Sequence, residues 1–347
     1  MVQRKNRVTK VCSSLGKVTN AAKELSGIRD ANLSYCAVQK AGCTMWIRLF
    51  KFLQGQKRYT NDPMSLTKYE IHNEASQFYK RFDLEADREF MKSSYRVMTV
   101  RDPYTRIWSA YVDKFVLPDF WYTKGKHIIS LLRLNADAKS LRCGHDVTFR
   151  EFIDYVIKVG HQFTFLNQDK HWLPASDICD PCFFYPDAIG KQETFMSDFE
   201  YVLKHKGLEK WIDKIKSVDA TEFEINEEID YNFKLLHHRN KCLDRTELAM
   251  RLWTAFVING YIPANESLPR NLTSETISQE TFARSIHAVR SKYNISSEEK
   301  RAVRIRAVTA AFQQLTELQM DSLAKLYRWD FELFGYNPKP DYLAANN

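Results

Sequence analysis

The sequence predicts an α/β fold with a central parallel sheet flanked by helices and a mainly helical C-terminal part. Short apolar segments typical of strands alternate with longer segments of helical period, and the last third of the chain is helical in pattern almost throughout. Such alternation is typical of parallel strands joined by helices. Of the 347 residues, 44% are hydrophobic and 13% are aromatic, so the chain can build a core, and a disordered or collagen-like protein is excluded.

The predicted elements follow in order along the chain. Residues 1–30 are polar and basic with no sustained period, and we expect a flexible basic N-terminal arm or stem there. Residues 31–340 are expected to form a single domain. Pro103 suits the first turn of a helix, where its missing N–H has no helical partner to lose. Strands are predicted at 34–38, 95–100 and 183–189, and helices at 46–53, 63–93, 104–115, 149–159, 193–206 and 297–334.

The charge balance favours an anionic partner. Lysine and arginine number 51 against 43 aspartates and glutamates, which gives a net charge of +8. Nucleic acid, a nucleotide, a polyanionic glycan and a membrane surface all suit such a charge.

No segment approaches the roughly 20 apolar residues that a membrane helix needs. The basic N-terminus also lacks the apolar segment of a signal peptide.

The cysteines and glycosylation sequons favour an oxidising lumen. Seven cysteines suffice for two or three disulfides, and the odd number leaves at least one thiol. Cys179 and Cys182 lack a second pair of metal ligands at suitable spacing, so disulfides are favoured over zinc. Four N-x-Ser/Thr sequons favour the secretory pathway. They begin at Asn32, Asn265, Asn271 and Asn294.

A first candidate anion site lies where a predicted strand passes into a helix. A loop at this place directs backbone N–H groups and the positive end of the helix dipole toward one point, which suits a phosphate. Gly42 lets the backbone approach the anion, Lys40 adds positive charge, and Thr44 can cap the helix. The segment is not a Walker A loop, because that pattern is absent, and an ordinary strand–turn–helix junction is the alternative interpretation. The segment comprises Lys40, Ala41, Gly42, Cys43, Thr44, Met45 and Trp46.

A second candidate anion site lies at the next junction of the same kind. Arg101 directly follows an apolar strand, at the end where α/β folds bind ligands. Its guanidinium suits phosphate, and the hydroxyl of Ser109 on the following helix can join it on one anion. For Arg106 a solvated or salt-bridged helix position is the alternative, and Trp108 is favoured as a core residue. The segment comprises Arg101, Asp102, Pro103, Tyr104, Thr105, Arg106, Ile107, Trp108 and Ser109.

Two anion sites at successive strand ends suit a ligand with two separated phosphate-type groups. ATP carries one contiguous phosphate chain and normally needs Mg²⁺, for which the sequence offers no convincing acidic strand end. A nucleotide with a 5′-phosphosulfate and a 3′-phosphate fits better. A P-loop-type kinase and a non-catalytic polyanion-binding module remain as rival hypotheses.

These motifs resemble those of the Golgi carbohydrate sulfotransferases of the chondroitin/dermatan 4-O-sulfotransferase type. Residues 40–46 resemble the family's 5′-phosphosulfate loop, and residues 101–109 resemble its 3′-phosphate motif. Two further stretches match the family in order and spacing. They are His171-Trp172-x-Pro174 with Cys179-x-Pro181-Cys182 and Ile189-Gly190-Lys191-x-Glu193-Thr194, and the terminal Tyr327-x-x-Asp330-Phe331-x-Leu333-Phe334-Gly335-Tyr336. The sequence departs from the family at Met45, where a small polar residue is commoner, and at Gln192, where an aromatic residue is common.

The resemblance implies a P-loop-kinase-like fold and an enzyme that uses 3′-phosphoadenosine 5′-phosphosulfate (PAPS) without a metal. Lys40, Gly42, Cys43 and Thr44 would hold the 5′-phosphosulfate, and Arg101 and Ser109 would hold the 3′-phosphate. The implied acceptor is the 4-hydroxyl of N-acetylgalactosamine in an acidic chondroitin/dermatan-type glycan. Glucuronyl 3-O-sulfation and N-glycan N-acetylgalactosamine 4-O-sulfation are the alternatives.

The resemblance also implies a compartment. Members of the family usually act in the Golgi lumen and carry an N-terminal membrane anchor, and this sequence shows no anchor. Nucleic acid becomes the least favoured anionic partner. The sequence gives no prediction of oligomeric state.

Sulfuryl transfer needs a base for the acceptor hydroxyl and a cation for the leaving phosphate. Lys40 suits the second task. His72, which lies between the two phosphate motifs, is the preferred base, because a neutral imidazole suits a sugar hydroxyl. His171 is the second candidate, with substrate positioning or loop ordering as its other possible role. A carboxylate, Glu70 or Glu74, is the third.

Overall fold

A mixed sheet of four strands forms the centre of the described α/β fold. The computed structural model describes residues 1–14, 24–73, 87–160, 169–238, 241–270, 272–273 and 275–344. Within these residues the strands lie side by side in chain order, and the last three are parallel. The first strand pairs antiparallel with the second. The α/β class is therefore confirmed, with a sheet that is parallel except at one edge. The strands are β1 (Leu25–Ile28), β2 (Leu33–Cys36), β3 (Tyr95–Val100) and β4 (Ala188–Lys191).

The N-terminal residues differ from the flexible arm expected over residues 1–30. Val2–Ser14 is a helix, and residues 25–28 form β1, in which all four residues are buried. A turn at Asn32, whose φ is +47°, connects β1 with β2. Asparagine tolerates this left-handed conformation better than most residues, so the turn suits the sequence. The strand was missed because its four residues include a serine and a glycine and show no apolar alternation.

The helices account for most of the remaining described chain. In the first half they are α1 (Val2–Ser14), α2 (Cys43–Leu53), α3 (Lys68–Asn73), α4 (Arg88–Ser93), α5 (Pro103–Tyr111), α6 (Lys126–Leu132), α7 (Ala138–Cys143) and α8 (Phe149–Gly160). The next five are α9 (Ala175–Ile178), α10 (Pro181–Phe184), α11 (Phe195–His205), α12 (Lys210–Lys216) and α13 (Ala220–Leu236). The last five are α14 (Arg245–Ile258), α15 (Gln279–Arg290), α16 (Ser297–Phe312), α17 (Glu317–Leu326) and α18 (Arg328–Phe334).

Several predicted elements differ in extent. Among the described residues, the helix expected over 63–93 comprises only a 3₁₀ turn at Pro63–Ser65 and the short helices α3 and α4. The strand expected at 183–189 is β4 at residues 188–191, because Pro181 and the Asp180 cap begin the short helix α10 instead. The long helix expected over 297–334 is three helices. Thr316 and Gln319 hydrogen-bond each other's backbone N–H groups, which starts α17 afresh.

The chain divides by its contacts into two compact units. The first comprises Met1–Ile107, Gly160–Val218 and Leu323–Pro338, and the second comprises Trp108–Val159, Asp219–Ser322 and Lys339–Asn347. The single domain predicted for residues 31–340 stays a prediction. In the first unit, apolar side chains from β2, β3 and β4 form a core with residues of α1, α9, α10 and α18. In the second unit, helices α13, α14 and α15 share a separate apolar core.

Three disulfides confirm the preference for disulfides over zinc. Cys12–Cys182 and Cys36–Cys179 cross-link the first unit, and Cys143–Cys242 cross-links the second. Cys43 stays a buried thiol, as the odd number of cysteines predicts. Among the described residues, no helix is both long and apolar enough to cross a membrane.

Candidate active site

The two predicted anion motifs meet at one edge of the sheet in the first unit. Because β2, β3 and β4 are parallel, their carboxyl ends lie along the same edge, and Lys191 is paired with Val100 there. The loop after β2 and the turn after β3 are in direct contact. The Nη1 atom of Arg101 donates to the backbone oxygen of Lys40 over 3.3 Å. The guanidinium of Arg101 from the second motif is thus bound to the backbone of Lys40 in the first motif.

Two residues of the loop after β2 have a left-handed backbone conformation. Lys40 has a φ of +64° and Gly42 a φ of +82°, so two left-handed residues flank Ala41. Gly42 occupies the N-cap position of α2, and no side chain caps this helix end. The prediction that Thr44 caps the helix is therefore wrong. A loop with two left-handed residues, followed by a helix start without a side-chain cap, suits the binding of an anion.

Gly42 is required by a close approach as well as by its φ. A Cβ atom there would overlap the ring of Phe195 and lie 2.7 Å from Oε1 of Gln192. The Oε1 atom of Gln192 is itself buried without a hydrogen-bond partner in the described structure. The loop after β2 is therefore packed closely against the residues that follow β4.

We predict that Gly42→Ala lowers the melting temperature more than Gly207→Ala does. Both glycines have a left-handed φ, which costs an alanine about 1–2 kcal/mol. A Cβ at Gly207 meets nothing within 4 Å, whereas one at Gly42 overlaps Phe195. Thermal unfolding of the two variants measures the difference, and equal losses would contradict the close approach at Gly42.

The turn after β3 is held by hydrogen bonds from three directions. The Nε atom of Arg101 donates to Oγ1 of Thr105 over 3.1 Å, which holds the guanidinium beside the first turn of α5. Asp102 accepts the N–H of Thr105 at 2.9 Å and donates its own N–H to Glu193 at 3.1 Å. Glu193 also accepts the phenolic proton of Tyr336 at 2.9 Å. The third predicted motif thus supports the second through Glu193.

Lys191 adds a third cation near this edge. It ends β4, and its Nζ atom lies 3.9 Å from the centre of the Tyr336 ring. Burial lowers the pKa of this lysine, with Glu193 acting in the opposite direction. The sequence placed Lys191 in a matching motif but assigned it no role.

Several side chains of the two predicted motifs lie in the core. Trp46 donates from its indole to Thr99 at 3.0 Å and packs on Tyr35 and Phe199. Such residues can meet a ligand only through their backbone. Ala41, Cys43, Pro103, Tyr104, Arg106 and Ile107 are likewise buried.

Met45 and the last two residues of the second motif complete the predicted set. Met45 is partly buried in the first turn of α2. Trp108 and Ser109 follow on α5, in the part of this helix that belongs to the second unit. Trp108 packs there on Phe149, as its predicted core role requires.

Arg106 is bound to backbone oxygens and is not solvated. Its three nitrogens donate to Gln39 at 2.9 Å, to Leu173 at 2.7 Å and to Lys170 at 3.2 Å. Burial lowers the pKa of Arg106, while Tyr327 and Asp330 act in the opposite direction. The alternative of a solvated or salt-bridged helix position is therefore wrong for Arg106.

The two candidate histidines have different surroundings. His72 is exposed at the end of α3, and its Nε2 atom lies 3.2 Å from Oγ1 of Thr44. His171 is partly buried, and its Nδ1 atom lies 2.5 Å from Oδ1 of Asp169, which also accepts the backbone N–H of His171 at 2.9 Å. His72 thus contacts the first turn of α2, directly after the loop that follows β2, whereas His171 belongs to an Asp–His pair. Asp169 was not predicted from the sequence, although its position two residues before His171 is a local signal.

Glu70, one of the two carboxylate alternatives for the base, is bound by neighbouring residues. Glu70 accepts hydrogen bonds from the backbone and side chain of Thr67 and pairs with Lys57. Although burial opposes the effect, these partners hold the pKa of Glu70 below its usual range. A more acidic carboxyl is a weaker base. Glu74 lies outside the described residues.

Family membership follows from comparison with known proteins. The sequence model of the Sulfotransferase family matches residues 28–249, which is more than half of the chain. The chain belongs to the Sulfotransferase family. The matched range contains both anion motifs, both candidate histidines and Glu193, and it ends before the C-terminal motif that contains Tyr336.

Several carbohydrate sulfotransferases are similar to this member of the family. Carbohydrate sulfotransferase 11 of Rattus norvegicus is 32% identical over 221 residues, or 60% of this chain and 62% of the relative. Carbohydrate sulfotransferase 8 of Mus musculus is 33% identical over 172 residues, or 49% of this chain and 40% of the relative. The chain thus spans less than two thirds of the length of either relative. Comparison with the solved structures gives no significant match.

Membership in the family implies a sulfuryl donor, and the site suits an anion of this kind. Lys40 and Arg101 supply positive charge, and the start of α2 supplies backbone N–H groups beside them. Together they can bind two acidic groups and stabilise charge on a leaving phosphate. In the part of the chain that the structure describes, no cluster of His, Cys, Asp or Glu could hold a metal ion.

Proposed function

We propose that this sulfotransferase transfers the sulfuryl group of PAPS to a sugar hydroxyl of a glycosaminoglycan or glycoprotein glycan. The observation that carries the proposal is the contact between Arg101 and the backbone of Lys40. It joins two cationic strand ends, as a nucleotide with separate 5′ and 3′ acidic groups requires. The 5′-phosphosulfate binds residues 40–46, and the 3′-phosphate binds Arg101.

The reaction is an in-line displacement at sulfur. The acceptor hydroxyl oxygen forms a bond to sulfur, while the bond from sulfur to the bridging phosphate oxygen breaks. Adenosine 3′,5′-bisphosphate leaves, and its developing negative charge is stabilised by Lys40 and by the N–H groups of the loop. The hydroxyl proton passes to a base, for which we propose His72, because its ring contacts Thr44 in the first turn of α2.

The acceptor is proposed from the motifs and from the charge of the chain. The family resemblance favours the 4-hydroxyl of N-acetylgalactosamine in chondroitin/dermatan-type chains. A net charge of +8 suits such an acidic polymer. The names of the relatives support a carbohydrate acceptor, since each is called a carbohydrate sulfotransferase.

We place the reaction in the lumen of the Golgi apparatus. Three disulfides require an oxidising compartment during folding. Two of the sequon asparagines, Asn265 and Asn294, are exposed in loops of the second unit, where a glycosylating enzyme can reach them.

A transfer assay with radiolabelled PAPS and a panel of desulfated glycans tests the acceptor. We expect label on desulfated chondroitin and dermatan, at the 4-position of N-acetylgalactosamine, with a rate that falls steeply as salt rises. Label only at glucuronate, or only on a neutral N-glycan, would replace the proposed acceptor by one of its two alternatives. Absence of label on every glycan would contradict the proposed activity.

A further inference from the structure

The segment that contains His171 is held by side chains from two distant parts of the first unit. We call residues 170–176 the His171 segment. Arg106 reaches it from α5, and Tyr327 and Asp330 reach it from the C-terminal motif. All three side chains are buried, each with about 1% of its surface exposed. The proposed reaction assigns none of these three residues a task.

Arg106 ties the His171 segment to the loop after β2. Its guanidinium donates to the oxygens of Lys170 and Leu173, on either side of the His171-Trp172 pair. The same group donates to the oxygen of Gln39, which directly precedes Lys40. A single buried cation therefore links the His171 segment to the loop after β2. We call this loop the donor loop, because residues 40–46 are the proposed site of the 5′-phosphosulfate.

The C-terminal motif holds the rest of the His171 segment. The hydroxyl of Tyr327 donates to the oxygen of Trp172. The carboxylate of Asp330 accepts the N–H groups of Ala175 at 2.7 Å and Ser176 at 2.9 Å. With the two bonds from Arg106, five backbone groups within seven residues are bound by three side chains.

This arrangement is costly as a device for stability alone. Burying an arginine and an aspartate loses their hydration, and apolar side chains of similar volume often stabilise a fold as well or better. Buried side chains that hydrogen-bond a stretch of backbone instead select one conformation of that backbone. Here the selected conformation is that of the His171 segment, whose imidazole is further held by Asp169.

We propose that Arg106, Tyr327 and Asp330 are positioning residues that fix His171 beside the donor loop, where His171 binds and orients the acceptor sugar. The inference rests on the proposed function. It gives the C-terminal motif a task in acceptor binding, although that motif lies outside the family match. The donor site itself does not depend on the hydroxyl of Tyr327, which donates to the His171 segment.

A double-mutant cycle on Tyr327 and His171 tests the proposal. Tyr327→Phe removes one hydroxyl and keeps the ring, and we expect kcat/KM for the acceptor to fall by roughly tenfold to hundredfold. Affinity for adenosine 3′,5′-bisphosphate stays within about twofold, because the donor loop keeps its bond to Arg106. In a His171→Ala background the same change has no further effect, since Tyr327 acts through His171.

Tyr111→Phe is the matched control for this cycle. It also removes a hydroxyl that donates to a backbone oxygen, that of Val147, and it should leave acceptor kcat/KM unchanged. Effects of Tyr327→Phe and His171→Ala that multiply would overturn the proposal, as would equal losses in donor and acceptor binding. Asp330→Asn provides the same cycle if Tyr327→Phe does not fold. If the wild-type enzyme is active and the two substitutions have independent effects on kcat/KM, only the positioning role is refuted. If the wild-type enzyme is inactive, the proposed function is refuted.

If the His171→Ala enzyme has no measurable turnover, the double-mutant cycle is measured by binding instead. The readout is then the affinity for desulfated chondroitin in the dead-end complex with adenosine 3′,5′-bisphosphate. The same lack of additivity is expected there, and additive losses of affinity would again overturn the proposal.

Discussion

Arg101→Ala is expected to weaken the binding of adenosine 3′,5′-bisphosphate by about a hundredfold or more. Arg101 is the only cation that we assign to the 3′-phosphate, and a hydrogen bond to a charged group contributes about 1.5–3 kcal/mol. Loss of the guanidinium also removes its bond to the Lys40 backbone oxygen and so loosens the neighbouring loop. Isothermal titration calorimetry with the bisphosphate measures the change.

Arg96→Ala is the matched control for this prediction. Arg96 lies at the start of β3, whereas Arg101 directly follows the end of this strand. The side chain of Arg96 pairs with Asp187 at 3.2 Å. Its replacement should leave bisphosphate affinity within about twofold. If both variants bind the bisphosphate equally well, the turn after β3 is not the 3′-phosphate site.

His72→Ala is expected to lower kcat by between about 10² and 10⁴ while leaving bisphosphate affinity nearly intact. This range is typical of losing a general base. His72 contacts the hydroxyl of Thr44, and its replacement leaves Lys40, Arg101 and the N–H groups of the loop in place, so most of the donor affinity should survive its loss. Single-turnover rates at saturating PAPS and acceptor, together with calorimetry, separate the two effects.

Two further histidine variants make this test selective. His205→Ala, which changes an exposed histidine at the end of α11, should leave both quantities unchanged. His171→Ala should mainly raise the acceptor KM. The opposite pattern, with turnover abolished in His171→Ala and preserved in His72→Ala, would transfer the role of base to the Asp169–His171 pair. Loss of donor binding in His72→Ala would instead make His72 structural.

The sequence predicted best those parts of the fold that depend on neighbouring residues. Strand β3 has the predicted bounds, because an apolar run is ended by an Arg-Asp-Pro turn. The loop at Gly42 was predicted from its place between a strand and a helix. The left-handed Lys40 was not predicted, because lysine rarely adopts a positive φ.

The parts that could not be predicted depend on residues distant in sequence. On its helix Arg106 looks like a surface cation, yet it is bound by oxygens of Gln39, Lys170 and Leu173, which are more than 60 residues away. No local pattern encodes the convergence of three such carbonyl groups. Asp330 and Tyr327 were noticed only as members of a motif, since their partners lie about 155 residues earlier. Burial of charge in a core thus could not be predicted from local patterns, whereas strand ends and turns could.

The central claim is that two cationic strand ends bind one nucleotide with two separate acidic groups. Thermal unfolding with added nucleotides tests this claim most directly. Adenosine 3′,5′-bisphosphate should raise the melting temperature in a concentration-dependent way without Mg²⁺, and adenosine 5′-monophosphate should raise it much less. No shift with the bisphosphate, combined with a clear shift with Mg²⁺ and ATP, would contradict the claim and favour a kinase.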